Sequence, residues 1–210
     1  MNSTLIETVR VVNGTAPLWT LHLARIQRSC AALGFAFPTL VPPQRGPDRV
    51  CRYEISPDGV RVSEREPGPT APVRIITART WHKPYPNKIA DRACFEQAQV
   101  EAAAASANDA VLMTPQGWVA EGTIWSILWW EMGLLCAPAL EIGILPSVGR
   151  ARVSELKRYV GERKLTRRAL SGVPLFLVNS ARGIVEVDTW DGERVPRYPE
   201  TARLASQFWP

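Results

Sequence analysis

The stretch VAEGTIWSILWWE, residues 119–131, is the densest run of apolar and aromatic side chains in the chain. Its β-branched and aromatic content favours strand over helix. AVLMT precedes it and LLCAP follows it, each separated from it by a short turn sequence, so we predict an antiparallel meander. The most apolar part, Ile124 to Trp130, is far shorter than the roughly 20 apolar residues that span a bilayer. The pattern therefore indicates a buried sheet.

Upstream of this sheet, the chain opens with a strand and a helix. LIETVRVVNG alternates apolar and polar residues and ends in Asn13-Gly14, a pair that suits a tight turn. We expect a hairpin whose second strand lies near Ala16 to Trp19. Thr20 is then a candidate cap for a helix that Gly34 ends.

The middle of the chain predicts a second hairpin near residues 51–66, followed by the strand VRIITART. Prolines restrict the next segment, and an alanine-rich helix is expected from about Asp91 to Ala107. Lys88 therefore falls at the junction between a loop and a helix.

Downstream of the central sheet, Ser147 is a candidate N-cap for an amphipathic helix that Gly161 closes. Two more strands and a short terminal helix complete the pattern. The predicted fold class is α+β with two lobes, a smaller one over residues 1–82 and a larger one over residues 83–210.

Composition excludes several kinds of protein. The chain has 25 basic and 20 acidic residues, a formal charge of +5, which suits an anionic ligand as well as nucleic acid. Because the basic residues are dispersed, we expect no nucleic-acid partner. The four cysteines lack metal-ligand spacing, so buried free thiols are predicted and no metal. The absence of a signal-like or membrane-spanning run predicts a soluble, cytoplasmic protein.

Common enzyme signatures for dinucleotides, phosphate loops, zinc proteases and serine hydrolases do not occur in the sequence. Three features remain that could carry chemistry: Lys88, the pair Glu121-Gly122, and the Ser147 turn that opens a helix. Alone, each has a commoner structural interpretation, namely a surface lysine, a β-bulge and a simple helix cap.

Read in order, five passages resemble the class IV aminotransferase family, which includes branched-chain and D-amino-acid aminotransferases and 4-amino-4-deoxychorismate lyase. The passages are LIETVRV, HLARIQRSCAALGF, PNKIADR, VAEGTIWSIL with GLLCAPALEIGILPSVGR, and VNSARGIVEV. The resemblance implies a two-lobed D-amino-acid aminotransferase-like fold with a shortened first lobe, pyridoxal 5'-phosphate as cofactor, a small amino-bearing carboxylate as substrate, and a homodimer.

The resemblance also implies roles for individual residues. Lys88 matches the lysine that carries the cofactor and moves protons. Glu121 matches the carboxylate that pairs with the pyridine nitrogen, and Arg25 the arginine that binds the phosphate. The remaining phosphate contacts would come from backbone amides and one hydroxyl, those of Val148, Gly149, Ser180 and Ala181.

Some positions depart from the family pattern. Gly149 stands where many relatives have threonine, and Trp125 stands where relatives carry small polar residues, so Trp125 is expected to reshape the substrate site. Arg52 and Arg10 are candidates for binding a substrate carboxylate. Ala93 replaces the tyrosine that branched-chain enzymes place five residues after the lysine, which makes that specificity less favoured.

Among activities, aminodeoxychorismate lyase in the folate pathway is the leading hypothesis. The motif Asn-Ser-x-Arg-Gly in VNSARGI and the beginning at Leu-Ile-Glu-Thr are more similar to lyases than to transaminases. An amino-acid aminotransferase of D-amino-acid or branched-chain type is the alternative. A third hypothesis is a catalytically silent relative that acts as a binding protein.

Overall fold

The computed structural model describes residues 4–210, in which two β-sheets are flanked by four α-helices. The strands are β1 (Leu5–Val11), β2 (Arg49–Ser56), β3 (Gly59–Arg65), β4 (Val73–Trp81), β5 (Asp109–Met113), β6 (Val119–Gly122), β7 (Ser126–Glu131), β8 (Leu134–Pro138), β9 (Gly161–Arg163), β10 (Leu175–Asn179), β11 (Gly183–Trp190) and β12 (Glu193–Arg194). The helices are α1 (Trp19–Leu33), α2 (Ala93–Ala104), α3 (Val148–Lys157) and α4 (Pro199–Ser206).

The small sheet is antiparallel and has the order β1-β2-β3. The predicted hairpin at residues 51–66 is confirmed as β2 and β3. Helix α1 covers one face of this sheet, and Val9, Ile26 and Ile55 lie in the core between them. Burial of these side chains fixes the register, because a shift of one residue would turn them towards solvent.

The first predicted hairpin is wrong in its second strand. Asn13 and Gly14 do form a tight turn with positive φ, closed by backbone hydrogen bonds between Val12 and Thr15. The chain then enters α1 at Trp19, and Leu18 rather than Thr20 is the N-cap residue. The strand that pairs with β1 is β2, which offers seven paired residues. A turn sequence sets the local reversal of the chain but not the element that follows it.

The large sheet has the order β6-β5-β4-β11-β10-β7-β8-β9, with β12 beside β11. Strand β6 pairs with β5, whereas β7 lies between β10 and β8, so residues 119–131 do not form one strand and the predicted continuous meander is wrong. Of the predicted meander, the pairs β5–β6 and β7–β8 are antiparallel neighbours as expected. These strands are buried on both faces and read as unbroken apolar runs, and such runs do not encode which strands are adjacent.

Two predicted boundaries also move. Because β4 belongs to the large sheet, the connection between the two sheets is the segment 66–72, earlier than the boundary expected after residue 82. Helix α3 ends at Lys157, where Arg158 takes a left-handed conformation with φ 61°, and Gly161 instead begins β9. The Ser147 cap is confirmed, since its side chain accepts a hydrogen bond from the Arg150 amide.

The large sheet positions the remaining helices. Helix α2 packs on β4 and β5, and its Phe95 is fully buried there. Helices α3 and α4 pack on β10 and β11. All four cysteines are free thiols, and three of them are buried, as expected. Within residues 4–210 no helix has the length and apolarity needed to cross a membrane.

Candidate functional site

A cavity of about 200 Å³ lies between the small sheet and the large sheet. Nine of the ten residues that the sequence suggested line it: Arg25, Arg52, Lys88, Glu121, Trp125, Val148, Gly149, Ser180 and Ala181. These residues come from seven separate segments of the chain, so the fold brings together what the sequence keeps apart.

Arg10 is the suggested residue that does not line the cavity. Its Nη2 donates to Asp48 Oδ2 at 2.9 Å, and Asp48 Oδ1 accepts from the backbone amide of Asn13 at 3.0 Å. Arg10 therefore braces the turn after β1, and the structure gives no support for the expected contact with a substrate carboxylate.

Lys88 lies in the loop between β4 and α2, and its backbone holds that loop against β1. The Ile6 amide donates to the Lys88 carbonyl at 2.7 Å, and the Ala90 amide donates to the Thr4 carbonyl at 2.8 Å. Burial lowers the pKa of Lys88 to about 7, helped by the charges of Arg25 and Arg92 and opposed by two carboxylates. Much of the amine is therefore uncharged and nucleophilic at neutral pH.

Glu121, on β6, is buried, with 5% of its surface exposed. Its Oε1 accepts from His82 Nε2 at 2.9 Å and from the Leu145 amide at 3.1 Å. Within residues 4–210, Oε2 has no hydrogen-bond partner, so one carboxylate oxygen remains available to a ligand. His82 was not suggested by the sequence, since a histidine far from Glu121 in the chain belongs to no motif.

Arg25 projects from α1 and is held by a buried carboxylate behind it. Its Nε donates to Glu7 Oε2 at 3.1 Å, its Nη2 donates to Glu7 Oε1, and His22 Nδ1 lies 2.6 Å from the same Oε1. Burial acts to raise the pKa of Glu7, but the charges of Arg25 and His22 outweigh it and bring the pKa to about 2. The ionised Glu7 thus orients Arg25 and leaves Nη1 without a partner among the described residues.

Neither Glu7 nor His22 was singled out from the sequence, although both stand in passages that carried the family resemblance. Burial lowers the pKa of His22, and the neighbouring Glu7 carboxylate opposes this effect. With the carboxylate as acceptor, the proton lies on Nδ1. The signal that could have found this group is the pairing of a buried strand carboxylate with two basic residues one helical turn apart.

The first turn of α3 faces the cavity with backbone amides. The amides of Val148 and Gly149 belong to the first residues of the helix and have no partner within it. A Cβ on Gly149 would lie 2.9 Å from Asn179 Cα, so the helix approaches the end of β10 too closely for a side chain. This contact explains the glycine where the family resemblance predicts threonine.

Ser180 and Ala181 line the cavity, but their donors already have partners in the protein. The Ser180 hydroxyl donates to the Thr8 carbonyl at 3.0 Å, which links the two sheets. The Ala181 amide donates to Asn179 Oδ1 at 3.0 Å. The structure therefore does not offer the free Ala181 amide that the resemblance assigned to a phosphate.

Trp125 is 3% exposed and packs in the core of the large sheet, so most of the ring fills the interior rather than the site. The part of the Trp125 ring that borders the cavity lies below the guanidinium of Arg182, whose Cζ is 5.6 Å from the ring centroid. Arg52 lies at the rim, where its Nε donates to Glu54 Oε1 at 3.1 Å. Arg65, Arg92 and Arg182 also line the cavity and were not suggested by the sequence.

With this geometry established, comparison with known proteins identifies the class of protein. Residues 59–190 match the family model for amino-transferase class IV, so the chain belongs to this family. A search of curated proteins found no match.

Several solved structures have the same fold. A provisionally named 4-amino-4-deoxychorismate lyase from Legionella pneumophila is 22% identical, with a TM-score of 0.84 and coverage of 98% of this chain and 90% of its own. A provisionally named amino-acid aminotransferase from Mesorhizobium loti is 26% identical, with a TM-score of 0.78 over 89% of this chain and 99% of its own. A hypothetical aminotransferase from Mycobacterium tuberculosis, in a form bound to pyridoxal phosphate, is 22% identical. Its TM-score is 0.85, over 98% of this chain and 87% of its own.

The family match confirms the predicted α+β, class IV aminotransferase-like fold and, at the level of the family, pyridoxal phosphate as the cofactor. The donor set of the cavity fits this group. Arg25 and the free amides of α3 suit a phosphate, the amine of Lys88 suits an aldehyde, and the unpartnered Oε2 of Glu121 suits a ring N–H.

Proposed function

We propose that this chain is a pyridoxal-phosphate enzyme acting on a small amino-bearing carboxylate, and that its reaction is the aminodeoxychorismate lyase reaction. In that reaction the substrate loses pyruvate and leaves 4-aminobenzoate, a precursor of folate. The observation that carries the proposal is the presence of Lys88, Glu121, Arg25 and the α3 amides in one cavity.

The proposed division of labour follows from the charges of these residues. Arg25 and the amides of Val148 and Gly149 would bind the phosphate, because a helix N-terminus and a guanidinium both favour an anion. The free oxygen of Glu121 would hold a proton on the ring nitrogen. Pyridoxal phosphate, when bound, supplies a ring that stabilises negative charge on the substrate carbon that loses a proton.

Lys88 would supply both the attachment point and the base. An ordinary lysine is protonated at neutral pH and cannot accept a proton, whereas a pKa of about 7 leaves much of the Lys88 amine free to do so. Arg92 contributes to this pKa, so its charge supports the reaction without contact with the proton that moves. The same amine, once protonated, can return the proton to a leaving group or product.

The lyase is favoured over an aminotransferase by the segment Asn179-Ser180-Ala181-Arg182-Gly183, which is more similar to lyases, and by relatives such as the Legionella pneumophila protein. The aminotransferase remains the second candidate, because the Mesorhizobium loti relative has that provisional name and the highest identity of the three relatives compared above. Both reactions begin with the same proton removal by Lys88, so the cavity serves either.

A homodimer and a cytoplasmic location are further parts of this proposal, and both rest on the family resemblance. The opposing hypothesis is a relative that keeps the fold and acts only as a binding protein. The availability of the Lys88 amine, the Glu121 oxygen and the α3 amides argues for an enzyme.

The first test is the visible absorbance of the purified protein with added pyridoxal phosphate, measured for the parent, Lys88→Ala and Lys83→Ala. Lys83 lies in the same loop and is exposed, so it controls for non-specific reaction with surface amines. We expect the parent and Lys83→Ala to show a cofactor band that borohydride fixes to the protein, and Lys88→Ala to show none. A band of equal size in all three proteins would contradict the role of Lys88.

The second test separates the two activities. The protein loaded with cofactor is given aminodeoxychorismate, and 4-aminobenzoate and pyruvate are quantified by chromatography. It is also given amino acids with a keto-acid acceptor. Equal release of 4-aminobenzoate and pyruvate would establish the lyase, whereas formation of a new amino acid would establish the aminotransferase. A bound cofactor with neither product would support the binding protein.

A further inference from the structure

His82 lies behind the wall of the cavity and contacts Glu121. It is not one of the residues that line the cavity, and only 1% of its side chain is exposed. Its Nε2 donates to Glu121 Oε1 at 2.9 Å. Because an ionised carboxylate only accepts hydrogen bonds, Nε2 carries a proton whether the ring is neutral or charged. The contact is therefore a charge-assisted hydrogen bond, roughly twice as strong as one between neutral groups.

Two other contacts hold His82 in place. Its backbone amide donates to the Met113 carbonyl at 2.8 Å, which ties the residue after β4 to the end of β5. Its ring meets the fully buried ring of Phe95 on α2 edge-on, with the ring centroids 6.1 Å apart and the planes at 73°. Since both the backbone and the ring are packed, the imidazole is a fixed point, and the Glu121 side chain takes the position that this donor sets.

The hydrogen bonds to Glu121 are divided unequally between its two oxygens. Oε1 accepts from His82 and, at 3.1 Å, from the Leu145 amide, whereas Oε2 has no partner among residues 4–210. The last torsion of a glutamate side chain has no strong preference of its own, so the donors around it decide how the carboxylate is turned. Two donors on Oε1, from separate segments of the chain, leave Oε2 for the cavity that Glu121 lines.

We propose that His82 is a positioning residue, which fixes the Glu121 carboxylate so that Oε2 receives the ring N–H of pyridoxal phosphate. This inference rests on the proposed function, because it assigns a further residue to that same site. His82 acts through Glu121 and does not itself line the cavity. Without the imidazole, Oε1 would keep only the Leu145 amide, and the carboxylate would be free to turn towards the amine of Lys88, whose charge it already influences.

The test measures the protonation of the cofactor ring and does not depend on turnover. Pyridoxal phosphate labelled with nitrogen-15 in its ring is bound to the parent, His82→Leu and His82→Gln, and nitrogen NMR reports whether the ring nitrogen carries a proton. Leucine offers no donor, whereas the glutamine amide can place one near the position of Nε2. We expect a protonated ring nitrogen in the parent and in His82→Gln. In His82→Leu the signal should move towards that of an unprotonated pyridine.

Cofactor affinity gives a second readout in the same samples. His82→Leu should bind pyridoxal phosphate about tenfold more weakly than the parent, because a buried acceptor loses its charge-assisted hydrogen bond, and His82→Gln should recover most of this loss. Lys83→Leu is the matched control, since Lys83 is the next residue and is exposed, and it should match the parent in both readouts. A His82→Leu protein that is less stable but keeps the protonated ring nitrogen and the parent's affinity would overturn the proposal.

An unfolding cycle on the cofactor-free protein lets the two hypotheses fail separately. The cycle combines His82→Leu with Glu121→Gln. The double variant should change the unfolding equilibrium constant by about fivefold or more less than the product of the two single effects, because the contact is lost only once. If the parent binds no cofactor, the proposed function fails, and this coupling alone judges His82, with independent effects overturning its role. Should His82→Leu fail to fold, His82→Asn, whose amide is too short to reach the position of Nε2, replaces it in each measurement.

Discussion

At the scale of single residues, the folded state disfavours the charged form of Lys88. Its pKa falls from 10.5 to about 7, mainly because burial disfavours the ammonium form. Between these two values the unfolded chain binds more protons than the folded chain, so the stability of the folded state rises with pH across this window. The penalty is fully present below pH 7 and is lost above pH 10.5.

A substitution that removes this charge should therefore stabilise the cofactor-free protein. We expect Lys88→Met to raise the free energy of unfolding at pH 7 by up to about 5 kcal/mol, since each pKa unit corresponds to about 1.4 kcal/mol. The gain should shrink towards zero near pH 10.5. Urea unfolding at pH 7 and pH 10 measures both, with Lys83→Met as the exposed control. A loss of stability that is equal at the two pH values would contradict the lowered pKa.

Glu7 presents the opposite case, a carboxylate whose pKa of about 2 lies below the usual 4.5. The stabilisation that it provides is present above pH 4.5 and is lost as the pH falls towards 2. We expect Glu7→Gln to lose about 3–5 kcal/mol at pH 7, because Arg25 is left buried without its carboxylate. Acid unfolding of this variant should be less steep between pH 4.5 and 2 than that of the parent. Glu66→Gln, an exposed site, is the control, and equal acid profiles would refute the assignment.

The sequence identified the residues of the site that belong to family motifs, Lys88, Glu121 and Arg25. It did not identify the groups that hold them, because His82 and Glu7 gain their meaning only from contacts across the fold. Nor could the sequence show that Arg52 lines the cavity and Arg10 does not. Arg52 pairs across the sheet with Thr8, which lines the cavity, while Arg10 pairs with Val50 two residues further along the strands.

At the scale of elements, the first turn of α3 depends on a glycine that helix propensity disfavours. Alanine normally stabilises a helix by about 1 kcal/mol relative to glycine. At Gly149 we expect the reverse, because the added Cβ would lie 2.9 Å from Asn179 Cα and within 3.1 Å of other backbone atoms of that residue. The helix must therefore shift away from β10.

Gly149→Ala should lower the thermal midpoint of the cofactor-free protein and weaken pyridoxal phosphate binding by about tenfold or more, since the amides of this turn are displaced. Differential scanning calorimetry and cofactor titration measure the two effects. Glu155→Ala, exposed on the same helix, should change stability by less than about 0.5 kcal/mol. A Gly149→Ala protein that is more stable than the parent would show that the helix accommodates the side chain without moving.

Element type was easier to predict than element order. The hairpin of β2 and β3 and the Ser147 cap of α3 follow from alternation and cap chemistry, which act over a few residues. The order of the large sheet depends on contacts between distant segments, such as β4 beside β11. The prediction of a strand after Asn13-Gly14 was wrong because the pairing partner of β1 is β2, which lies far along the chain.

At the scale of the whole molecule, the cavity joins the two sheets. The Ser180 hydroxyl from the large sheet reaches the Thr8 carbonyl of β1, and the Lys88 loop is bonded to β1 as well. A ligand that contacts residues on both sides binds only when the sheets are correctly assembled. The cofactor should therefore stabilise the entire fold rather than one lobe.

This linkage gives a prediction for Arg25, the proposed phosphate contact from the small-sheet side. A ligand at 100 times its dissociation constant adds about 2.7 kcal/mol to the stability of a folded protein, and the gain falls as affinity falls. We expect pyridoxal phosphate to raise the thermal midpoint of the parent in a single transition. Arg25→Gln should lose most of that rise relative to its own cofactor-free midpoint, and Arg28→Gln, exposed on the same helix, should keep it. A full rise in Arg25→Gln would mean that the phosphate is held by α3 alone, and two separate transitions in the parent would mean that the sheets unfold independently.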